Sequence, residues 1–101
     1  MKLILVLMAP LLAAATTVAP STSTTCSSNI GTISACGCTG MSANYKVLSA
    51  RVNFEKATAR FYEKANCVEP HISVASDQCW RNSNWAQIKS VRICGGTCAA
   101  C

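Results

Sequence analysis

A chain of 101 residues has room for one domain, and a domain of that size buries too little apolar surface to hold its fold comfortably without staples. Eight cysteines behind an apolar N-terminus supply them: an even set of thiols in a short exported chain reads as a disulfide framework, and an oxidising compartment argues against zinc. Nine basic residues face four acidic ones; with Lys2 removed in a leader the balance is about +4, which favours anionic surfaces such as cell walls, acidic glycans or lipid headgroups.

Met1 and Lys2 form a short charged start, Leu3 to Leu12 is an apolar run, and Ala13, Ala14 and Ala15 are the small residues of a cleavage site. That order predicts a signal peptide over residues 1–19, with cleavage after Ala15, Ala19 or Ser21, although Pro20 counts against the middle choice. The apolar run is too short to span a bilayer, so no stable membrane insertion is expected. Residues 20–25 then form a hydroxyl-rich, disordered lead-in open to O-glycosylation, and residues 26–101 form a single disulfide-rich domain.

Ile30, Ile33, Cys36 and Cys38 lie among Ser, Thr and Gly without helical periodicity, which predicts a strand between Asn29 and Thr39. Gly40, Ser42 and Asn44 supply a turn. Next, Val47, Ala50, Phe54, Ala57, Phe61 and Ala65 recur at steps of three and four, predicting an amphipathic helix from about Leu48 to Ala65. On that helix Lys56, Arg60 and Lys64 would form a basic stripe away from the core, a candidate contact for an anionic partner.

Glu69-Pro70 enforces an extended or turn geometry, and Ile72 and Val74 alternate with polar neighbours in a predicted strand over His71 to Ala75. Ser76-Asp77 is placed to cap a short helix running to about Arg81. Val91 and Ile93 alternate with Lys89, Ser90 and Arg92 in a last strand from Gln87 to Cys94, which Gly95-Gly96 breaks. No internal repeat is visible at this level. The order strand, helix, strand, helix, strand predicts an α+β sandwich, an antiparallel sheet with one long and one short helix, whose sheet carries the Ile33, Val74 and Val91 segments.

Cys26, Cys36, Cys38, Cys67, Cys79, Cys94, Cys98 and Cys101 allow 105 pairings, and the sequence leaves the connectivity open. Cys36 and Cys38 flank one residue on one face of an extended segment, so each is expected to bond elsewhere, and a bridge at Cys101 would tie down the chain end. No metal and no cofactor are expected. His71, the single histidine, has no assignable partners for nucleophilic catalysis. Glu55 and Glu63 are two turns apart on the expected helix and sit among Lys and Arg as solubilising charges, so no glycosidase pair is expected and the protein is read as a non-enzyme. Trp80 and Trp85 bracket a polar loop that includes Arg81, residue types common at binding hot spots, although a core this small calls for at least one indole as filler. No basic-aromatic alternation long enough for nucleic acid occurs.

The layout is similar to small secreted cysteine-rich proteins of filamentous fungi. Within that group it resembles the killer-protein-six fold: Cys36-x-Cys38-Thr39 on a strand, a helix bearing Phe61-Tyr62, Cys67 just after it, and Cys79 about a dozen residues on. The resemblance covers roughly Ala35 to Trp80. It implies a small antiparallel sheet with two helices packed on one side. It also implies a secreted, monomeric effector that binds a host protein or an anionic cell-surface component, with a killer or antimicrobial toxin as the alternative. Hydrophobins and plant lipid-transfer proteins need adjacent Cys-Cys pairs, which this chain lacks.

Overall fold

The computed structural model describes residues 15–101; residues 1–14, which carry most of the expected signal peptide, lie outside the described residues. Seven strands form two antiparallel sheets: β1 (Thr17–Ser21), β2 (Gly37–Gly40), β3 (Ser49–Asn53), β4 (Thr58–Tyr62), β5 (His71–Val74), β6 (Gln78–Arg81) and β7 (Ser90–Cys94). The first sheet has the order β1-β3-β6 and the second β2-β7-β4-β5. Among the described residues the helical content is a single 3-10 turn, Ala65–Cys67.

The α+β expectation is therefore corrected to an all-β sandwich, and the helices implied by the killer-protein-six resemblance are not part of it. The predicted long helix is the pair β3 and β4 with a turn between them. Its apolar positions satisfy two periods: Ala50 and Val52, then Ala59 and Phe61, alternate with Arg51, Asn53 and Arg60 as a half-buried strand requires. Lys56 breaks the run in a left-handed conformation (φ 70°) that no helix interior accommodates. The predicted short helix is β6, and Asp77, instead of capping it, accepts the Phe54 N–H at 2.6 Å. The strands expected around His71 and Val91 are present as β5 and β7, while the expected first strand is reduced to β2 and to isolated bridges at Asn29 and Ile33.

The architecture is a duplication that the sequence reading missed. Thr16 lies 41 positions before Ala57, and the same offset maps β1 onto β4, β2 onto β6 and β3 onto β7. Registers follow: Thr17 faces Asn53 as Thr58 faces Cys94, and Ser49 faces Arg81 as Ser90 faces Gly40. Each half lends one strand to the other half's sheet, β2 pairing with β7 and β6 with β3. Val47 and Ile88, equivalent positions that are both buried, bridge to each other where the halves meet.

The disulfides lock this exchange. Cys26–Cys79 and Cys38–Cys67 join equivalent positions of opposite halves, and Cys36–Cys98 and Cys94–Cys101 secure the tail. As expected, Cys36 and Cys38 bond elsewhere and Cys101 is tied. Beside each crossed bridge lies the same clamp. The buried Ser49 hydroxyl donates to the Ser23 carbonyl (2.6 Å) and accepts the Cys26 N–H (3.0 Å). The buried Ser90 hydroxyl donates to the Lys64 carbonyl (2.6 Å) and accepts the Cys67 N–H (2.9 Å). Cys26 and Cys67 both take positive φ, 60° and 53°, which turns each N–H toward its serine. Each clamp folds a loop over the outer face of one sheet, so the hydroxyl-rich segment read as a lead-in is tied into the fold, with Pro20 and Ser21 in β1 and Ser23 in the first clamp.

The core lies between the sheets. Val18, Ala50 and Val52 from one sheet face Ala59, Phe61, Val91 and Ile93 from the other, all essentially inaccessible to solvent. The Phe61 and Trp80 rings stack across the gap, centroids 4.4 Å apart and nearly parallel (9°).

Candidate anion-binding face

On the outer face of the four-stranded sheet, Arg60 of β4 and Arg92 of β7 stand directly opposite each other, with Ser73 of β5 and Cys38 of β2 on either side. Opposed residues of antiparallel strands hold their Cβ atoms about 5 Å apart, so two guanidinium groups share one patch of surface, an arrangement that is unfavourable for like charges. Neither is neutralised: among the described residues the one carboxylate contact to a basic side chain is a hydrogen bond between His71 Nδ1 and Glu69 Oε1 at 2.6 Å, and no carboxylate reaches either arginine. The Nε of Arg60 is buried and has no hydrogen-bond partner. A buried donor left unpaired costs about 1–3 kcal/mol.

The duplication supplies an internal control. Arg51 is the equivalent of Arg92 and is exposed, but the position equivalent to Arg60 is Ala19, which faces Arg51 in the first sheet. The first sheet thus carries a small side chain opposite its arginine at the equivalent place. Two planar forks, with nine N–H donors besides the buried Nε–H of Arg60, suit a carboxylate, phosphate or sulfate group, which guanidinium binds through paired hydrogen bonds.

The other expected contact residues disperse. Lys56 sits in the turn between β3 and β4, Arg60 on β4, and Lys64 beyond its end, so the three do not form the helical stripe read from the sequence. Lys64 lines an open cleft of about 500 Å³ with Glu63, Gln87 and Lys89. Trp80 is partly buried and packs against the core through its stack on Phe61. Arg81 is exposed at the end of β6, and Trp85 packs partly against the core, its loop held by Asn82, whose side chain accepts the Trp85 N–H and donates to the Trp85 carbonyl. Arg92, the partner that completes the pair, was not singled out in the sequence, because pairing across strands is invisible until β4 and β7 are neighbours.

The four disulfides are of the kind that persists in an oxidising, extracellular setting, and among the described residues no helix is long and apolar enough to cross a membrane. Comparison with protein families, with curated proteins and with solved structures finds no match.

Proposed function

We propose that the protein is exported and acts by binding, without catalysis, an anionic component of another cell's surface, with Arg60 and Arg92 at the centre of the contact. The observation that carries this reading is the in-register arginine pair, an opposition of like charges that weakens the free protein and that an acidic group would neutralise. The leading setting is a secreted effector engaging a host, as a single stapled domain with no cofactor. A killer or antimicrobial toxin would present the same surface to competing cells.

Retention on immobilised heparin, a sulfated polysaccharide, tests the contact. Changing Arg60 and Arg92 together to Gln is expected to weaken binding at least tenfold and to flatten its salt dependence, because fewer charges are then screened. Arg51→Gln, the control from the other half, is expected to change it by less than about twofold. Equal losses in the two variants would contradict the site. Exposure of plant tissue and of microbial cultures to the oxidised protein assigns the setting: a response in plant tissue alone supports the effector, and growth inhibition or dye leakage in microbes supports the toxin.

A further inference from the structure

We infer that the export leader is removed at the Ala15–Thr16 peptide bond and that the mature chain begins with Thr16. The inference is independent of the anion-binding reading and rests on what the first residues of the sandwich do.

Thr16 is buried, with 3% of its surface accessible, whereas Ala15 is exposed. Its hydroxyl donates to the Ala57 carbonyl (3.0 Å) and accepts the N–H groups of Glu55 (2.8 Å) and Ala57 (3.3 Å). One side chain thereby satisfies the backbone of the turn that joins the two halves. Cleavage after Ala19 or Ser21 would remove this hydroxyl together with most or all of β1. Val18 and Ser21 are fully buried, Val18 exchanges backbone hydrogen bonds with Ile33 (2.9 and 2.7 Å), and the Ser21 carbonyl accepts the Leu48 N–H (3.0 Å). Loss of the strand would strip one edge of β3 of its partner and leave those groups unpaired.

The duplication points to the same bond. Thr16 is the counterpart of Ala57, the buried residue that leads into β4, whereas Ala15 and its counterpart Lys56 are both exposed, so burial in each half begins at this position. Immediately before it stand Ala13-Ala14-Ala15, small residues at the third and first positions ahead of the bond, after the apolar run from Leu3. The bond thus has the side chains that a signal peptidase accepts on one side and the first residue of the folded unit on the other. The step is a hydrolysis: the Ala15 C–N bond breaks, water supplies the hydroxyl that makes Ala15 the carboxyl end of the released leader, and the remaining proton leaves Thr16 with a free amine.

Secretion of the full chain from yeast, followed by N-terminal sequencing and intact mass of the oxidised product, tests the assignment. The expected product reads Thr-Thr-Val-Ala-Pro and has the mass of residues 16–101 less eight hydrogens. A folded product starting at Pro20 or Thr22, or a chain that keeps its leader, would overturn it. A second form, in which residues 16–21 are deleted so that the leader joins Thr22, addresses the structural premise. Its secreted soluble yield is expected to fall at least tenfold, and a wild-type yield with unchanged melting temperature would show β1 to be dispensable and remove the argument.

Discussion

Replacement of Arg60 by Met separates a binding arginine from a structural one. Methionine keeps an unbranched stem of similar length, so the contacts of the Arg60 methylenes on the outer face of β4 are largely retained. It removes the charge opposed to Arg92, relief worth about 0.2–1 kcal/mol for a like-charged cross-strand pair. It also removes the buried, unpartnered Nε, which costs about 1–3 kcal/mol where it stands. Part of that gain is offset by imperfect repacking of the thioether, leaving an expected stabilisation of about 1–2 kcal/mol. In a domain of this size each kcal/mol moves the midpoint by roughly 4–8 °C, so the Tm should rise by about 4–16 °C. Thermal unfolding followed by circular dichroism at low salt, with disulfides intact and no sulfate or phosphate present, reads the shift, and heparin retention of the same variant should fall. A Tm lowered by several degrees would refute the reasoning, since it would make Arg60 part of what holds the sheet together.

Three further outcomes are expected. Phe61→Ala should cost about 3–5 kcal/mol in denaturant unfolding, because the ring is wholly buried and stacks on Trp80; a cost below about 1 kcal/mol would place the ring outside the core. Ser49→Ala and Ser90→Ala should each cost about 1–3 kcal/mol, and by similar amounts, since each strands an equivalent cysteine N–H and carbonyl; a large loss in one and none in the other would break the equivalence of the two clamps. Peptide mapping without reduction should recover Cys26–Cys79, Cys36–Cys98, Cys38–Cys67 and Cys94–Cys101, and a link between Cys26 and Cys67 would contradict the exchange of strands between halves.

The parts of the fold legible in the sequence are those decided locally. Val91 and Ile93 alternate with polar neighbours, so β7 is readable, as is the break at Gly95-Gly96, where both glycines adopt positive φ. The segment from Ser49 to Tyr62 was not readable in this way. Ala, Arg, Lys and Glu favour a helix intrinsically, and spacing alone cannot tell a helical stripe from two short strands separated by a turn. Tertiary pairing with β1, β6, β5 and β7 decides it. The duplication did leave a trace: Cys26 and Cys38 recur as Cys67 and Cys79, and Val47-x-Ser49-x-Arg51-Val52 recurs as Ile88-x-Ser90-x-Arg92-Ile93. The remaining cysteines, Cys36, Cys94, Cys98 and Cys101, have no counterparts and hide that spacing. The recurring residues are the ones with physical work at both places, a buried serine clamp and a crossed bridge, whereas other positions drift. Arg60 against Ala19 is such a drift, and it is where the candidate site lies.

Side-chain NMR of the arginines offers the most direct measurement. Each arginine Nε–H gives its own signal, and titration with a heparin-derived oligosaccharide should shift the Arg60 and Arg92 signals saturably and together. Arg51 and Arg81, which are exposed and lack an opposing arginine, should scarcely move. Uniform small shifts of all four, or an Arg60 signal that stays in place while others saturate, would contradict a specific anion site on this face.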